Sequence, residues 1–241
     1  ETRFIEKLSG YDEQVNNQKI NEFLKYGFGS VFHDNNTFLQ NLRAIDPGEN
    51  LIISKDLRIT RKKYWRLNEN NRKIKKVNLR KEIKNIKKIL TNSVKLRLRS
   101  DVKNVFSLSG GIDSGSLVSI SKKVLKYKTN TYSILSKDKK YNEAKLINKT
   151  VKDTKVKNKI IKVKNVNFFR NLKSIVEYFN SPLLTINYIP LSVLLSNIKK
   201  ANFKVLLTGN GSDEIFAGYY DHFIFHLLDL KHKKLKFNKN L

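Results

Sequence analysis

Two short stretches hold the residues best suited to chemistry. Ser109-Gly-Gly-Ile-Asp-Ser114 supplies two hydroxyls, two glycines and one carboxylate. Gly110 and Gly111 allow a tight turn and a close backbone approach to a ligand. Ser109 and Ser114 add hydroxyl donors, and Asp113 can hold Mg²⁺ against a polyphosphate. The second stretch, Thr208-Gly-Asn-Gly-Ser-Asp-Glu214, again joins a glycine turn to acidic residues. Asp213 there can share a Mg²⁺ with Asp113, although a lone aspartate at this spacing also suits a helix cap. No Gly-Lys-Ser/Thr follows the first stretch, so it is not a Walker loop.

Both stretches sit between strand and helix patterns. Val105, Phe106 and Leu108 suit a buried strand. Ser114 is the expected N-cap of a helix through Leu117, Val118, Val124 and Leu125. A helix start there offers free N–H groups and partial positive charge to an anion. Further strands are expected at Thr131–Leu135, Lys159–Val163 and Lys204–Thr208. Helices are expected from Asn78 (as N-cap) through Val94 to near Ser100-Asp101, over Asn142–Val151 and Phe168–Phe179, from Pro190, and as one continuous run over Ile215–Leu230. Alternating strands and helices predict an α/β fold with a doubly wound parallel sheet and ligands at the strands' carboxyl ends. If the strands before the two glycine turns adjoin, Asp113 and Asp213 face one crevice.

Upstream, Asn17–Tyr26 predicts an amphipathic helix with Ile20, Phe23 and Leu24 on one face, ended by Gly27 and Gly29. Thr37 to Tyr64 changes to short apolar clusters, Phe38/Leu39, Leu42/Ile45, Leu51–Ile53 and Leu57/Ile59, parted by the turn signals Asp46-Pro-Gly48 and Lys55-Asp56. Residues 68–78 are polar and read as a linker. Lys231 to Leu241 is a basic tail expected to fray.

The chain has 241 residues, 39% hydrophobic and 29% charged, which is globular and enough for one large or two small domains. No apolar run reaches membrane-spanning length and no secretory segment opens the chain, so no membrane partner is expected. The absence of cysteine excludes disulfides and thiolate metal sites and fits an intracellular, cytoplasmic protein. The formal net charge of +28 admits a nucleic-acid partner. The lysines are spread along the chain, however, whereas nucleic-acid footprints cluster. Compositional bias, with Lys, Asn and Ile all abundant as in AT-rich genomes, is the favoured account. With no Met and Glu at position 1, the chain is expected to begin inside a longer protein.

Ser109-Gly-Gly-Ile-Asp-Ser114 resembles the pyrophosphate loop of the N-type ATP pyrophosphatases. Together with Gly209-Asn-Gly-Ser-Asp-Glu-Ile-Phe-Ala-Gly-Tyr219 it resembles the asparagine synthetase family. Tyr141-Asn-Glu143 is similar to that family's Tyr-Asp-Glu. Leu42-Arg-Ala-Ile-Asp-Pro-Gly48 and Tyr64-Trp65 resemble the end of its amino-terminal glutaminase domain and the linker beyond. The ordered set covers about residues 20 to 226. The resemblance implies three parts: residues 1–67 as the C-terminal part of a mainly-β glutaminase-like domain of Ntn type, 68–78 as linker, and 79–241 as a C-terminally truncated ATP-binding domain. It implies ATP and Mg²⁺ as cofactors. The implied activity is that of a glutamine-hydrolysing ligase: a carboxylate, aspartate in the namesake enzymes, is adenylated and then amidated by glutamine-derived ammonia, releasing AMP and pyrophosphate. The implied partners are therefore small molecules, with a homodimer also allowed.

By position, the resemblance places adenine against Leu108, Ile134 and Thr208-Gly209. It places pyrophosphate on Ser109, Gly110, Gly111, Asp113 and Ser114, and the metal at Asp113 and Asp213. Asp213 and Glu214 are assigned to catalysis, and Glu143 and Asn210 to the acceptor; Glu143 also suits a plain helix start. Three departures stand out. There is no glutaminase cysteine. The family's carboxy-terminal lysine lies beyond Leu241. Asn210 replaces an acidic residue, which opens the identity of the acceptor and leaves a non-catalytic ATP-binding relative as an alternative. A tRNA-modifying adenylating enzyme, which shares the loop and suits the charge, is the other; the glutaminase-like region and Gly-Ser-Asp-Glu argue against it. His222 and His226 lie one turn apart without a third ligand, so a packed or solvated pair is favoured over a metal site. For Tyr219, Tyr220, Phe223 and Phe225, core packing is favoured over base stacking.

Overall fold

The computed structural model describes residues 2–5, 12, 14–67, 78–136, 138–163 and 167–231. The expected linker, apart from Asn78, and the tail beyond Lys231 lie outside the described residues. In chain order the elements are α1 (Thr2–Ile5), α2 (Asn17–Tyr26), β1 (Glu49–Ile53), β2 (Ile59–Lys63), α3 (Leu79–Arg97), β3 (Asn104–Ser107), α4 (Ile112–Ser119), β4 (Asn130–Leu135), α5 (Ala144–Thr154), β5 (Lys157–Lys162), α6 (Phe168–Phe179), α7 (Tyr188–Lys200), β6 (Val205–Leu207), α8 (Ser212–Phe216) and α9 (Tyr220–Lys231). They fall into two compact units, residues 1–77 with 165–191 and residues 78–164 with 192–241.

In the first unit, Asn16 caps α2 by accepting the Lys19 N–H at 3.1 Å. Gly27, at φ +64°, ends the helix, and a tighter helical stretch continues from Gly27 to Phe32, so Gly29 is not a stop. The buried face differs from the expected one. Leu24 is exposed, whereas Lys19 is buried, its ammonium 2.6 Å from Asp34 Oδ1 and 2.9 Å from the Ser30 carbonyl. These partners satisfy a charge that could not otherwise leave water. Among the described residues of this unit, β1 and β2 alone form a hairpin, in antiparallel register from Glu49↔Lys63 to Ile53↔Ile59. Phe38/Leu39 and Leu42/Ile45 are not strands; that region makes the isolated bridges Val15↔Leu39 and Asn36↔Arg43. Phe38 is buried edge-on against Phe23 at 5.8 Å, while Ile52, Ile53, Leu57 and Ile59 are exposed.

The second unit is built on a parallel sheet of order β5-β4-β3-β6. Alternation along β3 sends Phe106 to one face and Val105 to the other. Phe106 packs with Val94 of α3 and Leu98 just after it, Val118 of α4 and Ile147 of α5. Val105 packs with Tyr132, Ile161, and Leu194 and Ile198 of α7. The crossovers β3→β4 and β4→β5 therefore use one face, and the return to β6 uses the other. That is the doubly wound arrangement: right-handed crossovers change face when strand order reverses. The reversal leaves a crevice between β3 and β6 at their carboxyl ends. Asn78 caps α3 as expected, accepting from Lys81 N–H at 3.1 Å.

Two expectations fail here for local reasons. The helix after β3 starts at Ile112 with Gly111, not Ser114, at the cap position, and then widens into an i→i+5 turn, Leu125 N–H to Ile120 O at 2.9 Å. The run Ile215–Leu230 is not one helix. Ala217 takes a left-handed conformation at φ +57° and divides α8 from α9, and Gly218 lies against the Asp213 carboxylate.

Candidate nucleotide site

The loop between β3 and α4 is tied to its neighbours at nearly every polar group. Leu108 donates its N–H to the Tyr132 carbonyl at 2.9 Å, and its own carbonyl accepts from Ser133 Oγ at 2.6 Å. Its side chain is buried in the core, so it meets a ligand only through backbone. Ile134 continues the neighbouring strand β4 and is half-buried. Ser114 is buried inside the first turn of α4, where its hydroxyl accepts the Ser109 N–H at 3.1 Å and lies 2.9 Å from Ser109 Oγ. Ser109 Oγ also accepts the Gly111 N–H at 3.2 Å. The two serines thus pin the turn from both ends.

The Gly110 N–H donates to Glu143 Oε2 at 3.0 Å. Glu143 is the N-cap residue of α5, but its side chain makes no capping hydrogen bond. Asn142 makes one instead, its Oδ1 accepting the Ala144 N–H at 3.0 Å. A Cβ on Gly110 would lie 2.9 Å from both Glu143 Cβ and Leu146 Cβ, so this contact needs glycine. The same loop, with Gly115, Lys149 and Asp153, borders a pocket of about 330 Å³. Lys149 is a cation that sequence reasoning passed over, because nothing separates it from the other 48 basic residues until α5 is set beside the loop.

The second motif follows β6, and β6 lies directly beside β3 in the register Phe106↔Leu207. A Cβ on Gly209 would come within 2.9 Å of Asp113 Cβ and 3.0 Å of Ser114 N. The structure therefore brings Asp113 and Gly209 together, with Thr208 beside them accepting the Asn210 N–H at 3.4 Å. Asp213 lies in the first turn of α8, where its carboxylate is turned onto Gly218. Asp113 thus stands at the meeting point of both motifs, whereas Asp213 faces along its own. Among the described residues no group of three or more His, Asp or Glu is gathered as a metal site. Asp113 is the carboxylate at this junction that could hold a cation.

Glu214 is exposed and accepts the Tyr219 hydroxyl at 2.8 Å. That bond holds its carboxyl below the ordinary glutamate range and pushes the Tyr219 phenol up. Asn210 is exposed at the rim of an apolar groove of about 700 Å³, lined by Ile86, Leu90, Leu117, Leu207 and Phe216. Sequence reasoning missed this groove, because it exists only where α3 crosses beside β6. His222 packs against Tyr219 at 5.4 Å with its Nδ1 buried and without a hydrogen-bond partner among the described residues; His226 is exposed. Tyr219, Tyr220, Phe223 and Phe225 are exposed, against the core packing expected of them; the buried side chain of α9 is Leu230.

The described residues include no helix long and apolar enough to cross a membrane. Residues 85–239 match the family described as asparagine synthase. The chain is 27% identical over 208 residues to glutamine-hydrolysing asparagine synthetase 1 of Bacillus subtilis, covering 86% of this chain and 32% of that protein. It is 28% identical over 227 residues to a protein of Methanocaldococcus jannaschii assigned as glutamine-hydrolysing asparagine synthetase 2, covering 93% and 42%. A third relative is the amidase chyE of Penicillium rubens, 27% identical over 201 residues, covering 77% and 30%. The chain thus spans well under half the length of these relatives. Because the family match takes in both glycine motifs and more than half of the sequence, the chain belongs to the asparagine synthase family.

Proposed function

We propose that this chain carries the ATP-binding half of an amide-forming ligase that adenylates a carboxylate. The observation that supports it most is the approach of Gly209 to Asp113 and Ser114, which sets both motifs on one crevice at the sheet's switch point. In this reading the carboxylate oxygen of the acceptor attacks the α-phosphorus of ATP and the bond to the β-phosphate oxygen breaks. Ammonia then attacks the acyl carbon, AMP leaves, and the nitrogen sheds a proton. The chemistry is mostly positioning and charge neutralisation.

Ser109, Gly110, Gly111 and Ser114 would hold the departing pyrophosphate. Asp113, joined by Asp213 on rotation of its side chain, would ligate the Mg²⁺ that neutralises it. Backbone at Leu108, Ile134, Thr208 and Gly209 would frame the adenine. Glu143 and Asn210 border the acceptor, and Asp213 and Glu214 serve catalysis. Residues 1–67 would be the end of a glutaminase-like domain supplying ammonia, and 79–241 the ligase part. An ATP–pyrophosphate exchange assay on the full-length protein tests this, run with aspartate, with tRNA and without acceptor. Exchange that depends on a small carboxylate supports the reading. Exchange that depends on tRNA transfers it to RNA modification, and no exchange with any acceptor marks a non-catalytic relative.

One observation leaves the acceptor open beyond aspartate. Asn210 is an amide that donates and accepts hydrogen bonds but cannot act as a base.

A further inference from the structure

The loop that would hold pyrophosphate already holds an anion, and the anion belongs to the chain itself. The Glu143 carboxylate accepts the Gly110 N–H at 3.0 Å from 33 residues away. The side chain has a nearer use, capping α5, and does not take it; Asn142 performs that task. Other groups of the turn bond within it: Ser109 N–H to Ser114 Oγ, Gly111 N–H to Ser109 Oγ, and the two hydroxyls to each other. Of the Ser109, Gly110 and Gly111 amides, that of Gly110 is the one bonded outside the turn, and Glu143 covers it.

From this the geometry points to Glu143 as a built-in competitor for polyphosphate. Its carboxylate takes the place of a phosphate oxygen on the Gly110 amide and must swing out before a polyphosphate can bind. The argument rests on the proposed pyrophosphate role of the loop. A charge-assisted hydrogen bond to an amide is stronger than a neutral one, and it must be broken as the ligand arrives. A carboxylate left beside the incoming phosphates also repels them. Glu143 is solvent-exposed, so it can leave without opening the core, and water screens part of both effects. The exchange raises the concentration of ligand needed to fill the site. It also frees a carboxylate at the rim at the moment the nucleotide binds.

The test is calorimetric binding of inorganic pyrophosphate with Mg²⁺ to the full-length protein and to two variants. Glu143→Ala removes both bond and charge and should tighten binding by about three- to tenfold. Glu143→Gln keeps an acceptor for the Gly110 amide but drops the charge, and should fall between wild type and Glu143→Ala. Both substitutions are at an exposed position. Unchanged or weaker binding in Glu143→Ala, with wild type binding measurably, would overturn the competitor role and leave the pyrophosphate loop standing. Binding by none of the three proteins would overturn both the loop's role and this one.

Discussion

Gly209 is where the two motifs touch, so Gly209→Ala is the sharpest perturbation of the crevice. The added Cβ would lie 2.9 Å from Asp113 Cβ, 3.0 Å from Ser114 N and 3.3 Å from Asp113 C. Unstrained carbon contacts sit at about 3.5–4.0 Å, so one motif must retreat by roughly 0.5 Å. None of the three neighbours is the end of a flexible side chain; all belong to the first turn of α4. Overpacking of this kind costs about 1–3 kcal/mol. The retreat also carries Asp113 away from the loop after β6, and a misplacement of ~1 Å can cost about 10²-fold in rate. About tenfold loss of ATP–pyrophosphate exchange is expected, with weaker Mg-ATP binding. Gly115→Ala is the matched control. Its Cβ would meet Thr150 Oγ1 at 3.7 Å, an ordinary contact, inside a helix where alanine is favoured over glycine by up to ~1 kcal/mol. It should raise stability and leave exchange close to wild type. Urea titration and exchange rates on the full-length proteins would decide. If Gly209→Ala matches Gly115→Ala in both, the close approach does not organise the site.

Asp113→Ala should weaken calorimetric Mg-pyrophosphate binding by at most about 3 kcal/mol, since it removes one ligand of a shared ion; equal affinity would count against the metal assignment. Asn210→Glu should raise aspartate-dependent AMP release with ammonia as donor by ~10²-fold if a base at that position moves a proton. Strong asparagine formation by the unmutated protein, unimproved by the change, would show that Asn210 does not select the acceptor. Lys19→Met should destabilise the first unit by about 1–3 kcal/mol, less than a fully buried pair because Asp34 keeps contact with water. Hydrogen bonding to Lys19 lowers the Asp34 pKa, so this stability is present above about pH 4 and is lost as pH falls through the lower folded value. The gap between wild type and Lys19→Met should therefore narrow in acid, and a gap that widens there would refute the pairing. Tyr219→Phe should return the Glu214 carboxyl upward toward the ordinary glutamate range, read by carbon-detected NMR titration; an unmoved titration would mean that the phenol is not its partner.

Much of the second unit was legible in the sequence. The strand–turn–helix pattern around Ser109–Ser114, the cap at Asn78 and the alternation of strands and helices are local signals, and each follows from spacing and residue type. The order of β3 and β6 was reachable only as a conditional, because nothing in Leu207 or Phe106 declares which strand is its neighbour. Register and adjacency are decided when Val105 and Phe106 find opposite cores. What failed followed the same rule. Ser114 has the chemistry of a cap but packs inside the helix, bonded back to Ser109. Ile215–Leu230 has helical composition but is divided where the Asp213 carboxylate meets Gly218. Lys19 looks like a solvent residue until Asp34 and Ser30 close over it, and Glu143 does stand at a helix start, but only the packing of α5 beside the loop turns its carboxylate onto Gly110. Residue types and spacing determined which chemistry the chain can offer. Only the tertiary structure decided which groups meet, because bringing residues 33 positions apart within 3.0 Å depends on the packing of whole elements rather than on any local preference.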